Sequence, residues 1–206
     1  MATLSYDVQP GDVIGFSSRS SLGRWVNYAT LGIPGHGLSH IGIAALSPLS
    51  SYPGIVLFES TTTCKRPCLL EGQVVHGVQC QPLIERVADY EAIGRAWVYP
   101  LSATLTDVQA DLLTALCVAD CGKQYDYPGA VRSRDLGLGW LARIVYPRAE
   151  NLHALFCSEL VATRLRDLRR LEVANASDWA PNALAREMRR QEVTLKRVPL
   201  TLVQGA

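Results

Sequence analysis

Strand-like apolar runs fill the first hundred residues and helix-like periodicities follow them, an order that predicts an α+β domain with helices packed on an antiparallel sheet. A second observation agrees: 206 residues with 48% hydrophobic content suit one globular domain over 1–206, large enough to enclose a core. No internal repeat or low-complexity linker divides the chain.

The elements can be taken in order. Pro10-Gly11-Asp12 is a turn that launches the run VIGF. Ser20 and Ser21 can cap a short helix with Leu22, Trp25, Val26 and Ala29 on its apolar face, and Gly32, Pro34, Gly35 and Gly37 then break the chain. HIGIAAL, SPLSSYPG and IVLFES read as strand, connection and strand, which is a hairpin. QVVHGVQCQPL and RAWVYPL supply further strands. Helices are expected over about 107–122, 157–171 and 181–191, the last opened by Asp178 and Pro181, with a closing strand near VTLKRVPL. In the first of these helices Val108, Leu112, Leu116 and Ala119 set the periodicity. The stretch 129–155 carries Gly129, Gly137, Gly139, Trp140 and Tyr146, with a helix in LGWLARIVY. It reads equally as a lid or substrate wall and as a packed surface excursion.

Charge and cysteine usage narrow the classes. Twenty basic against nineteen acidic side chains give a net charge of +1, so no global field argues for nucleic acid or an acidic membrane. Residues 132–206 carry 13 basic and 8 acidic side chains, and Arg164, Arg166, Arg169 and Arg170 read as solvated helix faces. MATLSYDVQPGD turns polar before a signal segment forms, and no run of about 18 apolar residues exists. The expectation is a soluble, cytoplasmic protein without stable membrane insertion, with release by another route or a phage context left open. Six cysteines in such a chain are expected to be free thiols. CKRPC (Cys64, Cys68) and CVADC (Cys117, Cys121) have the look of metal half-sites, but the second pair falls one helical turn apart, where buried thiols are the simpler reading.

The chemistry centres on FCSELVATRLRDLRR, where Leu160, Val161, Leu165, Leu168 and Leu171 define one helical face and Cys157 stands at the helix start. The positive end of the helix dipole favours a thiolate there, and the free N–H groups can hold an oxyanion. His40 opens HIGIAAL directly after the glycine loop and is a candidate base, while Glu59 closes the next strand. If the hairpin pairs residues whose numbers sum to 99, His40 faces Glu59 and Leu46 faces Pro53, leaving a connection of residues 47–52. Glu59 would then orient the imidazole. His36, His76 and His153 read as a loop histidine, an outward strand residue and a helix-flanking residue.

GDVIGF, LSHIGIAAL, VLFES, HGVQCQPL, KQYDYPG and FCSELVATRL together resemble the circularly permuted NlpC-type papain-like proteins, a group that also contains relatives of lecithin retinol acyltransferase. The resemblance spans roughly residues 10–190, and histidine before cysteine is the order that permutation implies. It implies a papain-like sheet or small barrel packed by helices, with Cys157 as nucleophile, His40 as general base and Glu59 as the orienting carboxylate. It also puts Tyr125 of QYDYPG on the oxyanion or substrate side, with Tyr127 as the alternative. The expected reaction is acyl transfer: a thioester forms on Cys157 and water resolves it, with no metal or organic cofactor. The implied substrate is a peptide or other amide, including cell-wall peptide with D-amino acids. Two rivals stand beside this hydrolase: an acyltransferase that passes the acyl group to a lipid or amine, and a non-catalytic peptide-binding module. The long basic stretch between QYDYPG and FCSEL departs from the family pattern.

Overall fold

A computed structural model describes residues 2–19, 37–132 and 154–204. The expected helix over Leu22–Ala29, His36, His153, the helix in LGWLARIVY and most of 129–155 lie outside the described residues.

The fold is α+β around an antiparallel sheet. Its strands are β1 (Ala2–Leu4), β2 (Val13–Ser18), β3 (His40–Leu46), β4 (Ile55–Thr61), β5 (Gly77–Pro82), β6 (Gly94–Tyr99), β7 (Val198–Leu200) and β8 (Leu202–Gln204). Strands β5-β4-β3-β2-β6-β7 form a six-stranded sheet in that spatial order, and β1 pairs separately with β8. Its helices are α1 (Leu83–Ile93), α2 (Asp107–Asp120), α3 (Tyr127–Arg132), α4 (Cys157–Asp167) and α5 (Pro181–Arg190), with a 3₁₀ turn at Ala176–Asp178. No helix among the described residues is long and apolar enough to cross a membrane.

Both faces of the central strands are covered, which is why VIGFSS is buried at every position and reads as a continuous run. On one face Val13, Ile41, Ile43, Val56 and Phe58 join Leu113 of α2, Val161 and Leu165 of α4 and Leu184 of α5. On the other, Ile14, Phe16, Ala44 and Leu57 join Leu83, Val87 and Tyr90 of α1. The pleat sends alternate residues to these two cores.

Several expectations are corrected. The β3–β4 hairpin pairs Gly42 with Glu59 and Leu46 with Ile55, so residue numbers sum to 101 and the connection is 47–54. Pro53 has no N–H for a ladder, whereas the Ser47 N–H donates to Gly54 O at 2.8 Å and Gly54 takes φ 112° with ease. A slip of two keeps every side chain on its face. Helix α2 buries Ala110, Leu113, Cys117 and Asp120, while Val108 is 78% exposed. The reason is ionic: buried Asp120 lies 3.2 Å from Arg164 Nη2 and 2.7 Å from Lys123 Nζ, so an acid lies on the inner face. Arg164 is accordingly buried and paired, not solvated. Helix α4 is buried all round from Cys157 to Leu165 and stops at Asp167. Asp178 ends the 3₁₀ turn, and α5 opens with Ala180 as N-cap and Pro181 as its first residue. Helix α1 and strand β1 have no counterpart in the sequence reading.

Candidate functional site

Cys157 is the first residue of α4, and its turn is tied down on several sides. Glu159 Oε2 accepts the Phe156 N–H at 3.4 Å, its other oxygen accepts the Ser177 hydroxyl, and Ser158 Oγ donates to Trp179 O at 2.6 Å. Upstream, the Leu155 N–H donates to Gln124 O at 3.0 Å, which brings the Gln124–Tyr125 backbone alongside the approach to Cys157. Ser60 Oγ donates to Leu155 O at 2.5 Å and fastens the same segment to β4.

His40 begins β3 opposite Phe16 of β2. Its Nε2 lies 2.6 Å from Glu59 Oε2, and the Cys157 side chain lies near enough to the imidazole to raise its pKa, with both lining the same cleft. Glu59 reaches His40 diagonally across the ladder, since its direct partner is Gly42. The imidazole is stacked with Phe16 (ring centroids 5.9 Å apart) and Tyr90 (6.4 Å, planes within 5°). Cys157, His40 and Glu59, named separately from the sequence, are thus brought together.

Arg86 of α1 is the member that sequence reasoning missed. It grips Glu59 with two nitrogens, Nε to Oε1 at 2.7 Å and Nη2 to Oε2 at 3.1 Å. Its Nη1 turns to Asp89 Oδ2 at 3.1 Å, and Asp89 is held in turn by Arg66 through Nε at 2.9 Å and Nη2 at 2.8 Å. An alternating line of charges therefore runs from Arg66 at the surface through Asp89, Arg86 and Glu59 to the imidazole. The spacing Leu83, Val87, Tyr90 with acids between them was the available signal for α1.

These contacts set the protonation states. Burial alone would depress His40, but hydrogen bonds to Cys157 and Glu59 and the charges of both push it up to about 9. Burial would raise Glu59, yet the Arg86 charge and the His40 hydrogen bond hold it down at about 2. Tyr125 is pushed up by burial and by Cys157, so its phenol keeps its proton and can donate.

A cleft of 780 Å³ opens over this group. His40, Cys157 and Tyr125 line it together with Thr61, Thr62 and Lys65. Tyr127 is 60% exposed and meets Tyr125 edge-on at 5.0 Å. His76 is exposed just before β5 and takes no part. Among the described residues no group of three or more His, Cys, Asp or Glu side chains is arranged to hold a metal ion. The two cysteine spacings meet crosswise, with Cys68 Sγ 3.5 Å from Cys121 Sγ.

No protein-family model matches the chain, and no curated protein matches it. The fold is similar to the crystal structure of metalloprotein yiiX from Escherichia coli O157:H7, DUF1105, at 20% identity and a TM-score of 0.54, covering 98% of this chain and 99% of that one.

Proposed function

We propose that the chain is a papain-like cysteine hydrolase of the circularly permuted NlpC type that cleaves an amide bond through a thioester on Cys157. The observation that carries this reading is one imidazole with a buried carboxylate on Nε2 and a helix-start thiol close enough to raise its pKa, both lining one cleft.

Each residue has a role in the proposed cycle. The Cys157 sulfur attacks the carbonyl carbon while N–H groups of the first turn of α4 face the developing oxyanion. His40 takes the Cys157 thiol proton as the sulfur attacks, passes it to the leaving amine, then takes a proton from the water that attacks the thioester, and the Cys157 thiolate that leaves recovers this proton. Glu59 fixes the ring and stabilises the imidazolium, and Arg86 fixes Glu59. Tyr125 lines the cleft as a hydrogen-bond donor toward the reacting group. A peptide amide, cell-wall peptide included, is the substrate class that the family resemblance suggests.

The test is a panel of peptides, simple amides and lipid esters incubated briefly with the protein and followed by intact-mass and peptide analysis. The expected result is an acyl adduct on Cys157 that decays by hydrolysis and is lost in Cys157→Ala. Turnover that survives Cys157→Ala would refute the reading.

A further inference from the structure

Two sulfurs outside the proposed catalytic group are positioned for chemistry of their own. Cys68 Sγ and Cys121 Sγ lie 3.5 Å apart, although they stand 53 positions apart in the chain. Strand β5 aligns both: the Leu69 N–H donates to Cys80 O and the Gly122 N–H to Val78 O, each at 2.9 Å. Backbone ladders on the same strand therefore deliver the two thiols to one place. Cys68 is 1% exposed and accepts the Cys80 N–H at 3.3 Å, whereas Cys121, at the C-cap of α2, is half-buried.

The electrostatics separate Cys68 from Cys64, Cys80 and Cys117. The hydrogen bond from Cys121 draws Cys68 down to about 6 against burial, helped by the backbone N–H groups of Cys80, Glu71 and Leu70. The same contact and burial push Cys121 up, so Cys68 is the member of the pair that gives up its proton first. Burial pushes Cys80 up to about 12 and raises Cys117 as well, which makes both inert.

We infer that Cys68 and Cys121 form a reversible dithiol site for small peroxides, closing to a disulfide that ties the chain two residues beyond the cleft-lining Arg66 to the end of α2. The Cys68 sulfur attacks one peroxide oxygen, the O–O bond breaks, and Cys68 becomes a sulfenic acid with release of one water. The Cys121 sulfur then attacks the Cys68 sulfur, the S–O bond breaks, and the hydroxyl leaves with the Cys121 proton as a second water. Two thiols are oxidised and one peroxide is reduced to two waters. The sulfurs must approach by about 1.5 Å, within reach of side-chain rotation. A thiol reductant reverses the step.

The test treats the reduced full chain with hydrogen peroxide, quenches with catalase, alkylates and maps the peptides. The expected product is a Cys68–Cys121 cross-link two hydrogens lighter, reversed by dithiothreitol and accompanied by a Tm increase of about 5 °C or more. The same cross-link is expected in Cys157→Ser, which separates it from oxidation at the proposed nucleophile. Cys121→Ser should leave a Cys68 sulfenic acid that dimedone captures, and if that variant does not fold the wild-type cross-link still decides. The inference is overturned if both thiols stay fully alkylatable, if Cys68 pairs with another cysteine, or if added zinc binds one per chain and protects both from alkylation and peroxide.

Discussion

At the residue scale, Arg86 governs how any test of Glu59 must be read. Glu59 is fully buried and satisfies the buried Arg86 guanidinium with two hydrogen bonds. Replacing it by glutamine removes the charge and leaves the buried Arg86 guanidinium with the partly exposed Asp89 as its one carboxylate partner, at a cost of up to about 3 kcal/mol. Urea unfolding of Glu59→Gln should show a loss of that order. The double variant Glu59→Gln/Arg86→Met should be more stable than the sum of the single effects, because the buried cation that has lost Glu59 is gone. Strict additivity would mean the two side chains do not depend on each other. Protonation gives a second prediction. The folded His40 sits at about 9 against an ordinary 6.5, so its contribution to stability is complete below 6.5 and is lost as pH rises through 9. Glu59 sits at about 2 against 4.5, so its contribution is complete above 4.5 and is lost as pH falls through 2. The stability gap between wild type and His40→Ala should therefore narrow between pH 6.5 and 9.5, and a gap that widens over this range would contradict the assigned contacts.

At the element scale, the site depends on how the start of β3 is anchored. Asn182 of α5 accepts the Leu38 N–H at 2.7 Å and donates to Leu38 O at 2.9 Å, two residues before His40. Asn182→Ala should lower stability by about 1–3 kcal/mol, since it leaves buried backbone groups unpaired, and should slow any reaction that uses His40. Equal urea midpoints for the variant and wild type would show that the anchor is dispensable. The same elements explain what the sequence disclosed. Strands β2 to β6 were legible as apolar runs bounded by Gly and Pro, and the His40–Glu59 pairing was found despite a register two residues out, because pleat parity survived the slip. Helix α1 was hidden because it joins β5 at Pro82 and β6 at Gly94 without a loop or a capping side chain, and its inner face carries the ion Arg86. The inner face of α2 was misread for a related reason: Asp120 counts as polar in any pattern, and its burial rests on ion pairs with Lys123 and with Arg164, far along the chain.

At the scale of the whole molecule, the proposed centre lies on the seam between the two cores. Cys157 belongs to the helical layer on one side of the sheet, whereas His40 packs with Phe16 and Tyr90 on the other side and Glu59 is held there by Arg86. No local segment contains the site, so its reactivity is a property of the complete fold. Two motifs, SHIGI and FCSEL, pointed to its members, but their contact, and the line of charges behind Glu59, exist only once both layers close on the sheet. The most direct measurement of this account is the alkylation rate of each of the six thiols by iodoacetamide, in the native chain, in His40→Ala and in urea. Native Cys157 should react faster than the other thiols, should lose about tenfold or more in His40→Ala while Cys121 is unchanged, and should fall in line with the rest once unfolded. Native labelling of Cys157 that is no faster than Cys121, or that ignores His40→Ala, would contradict its assignment as the nucleophile.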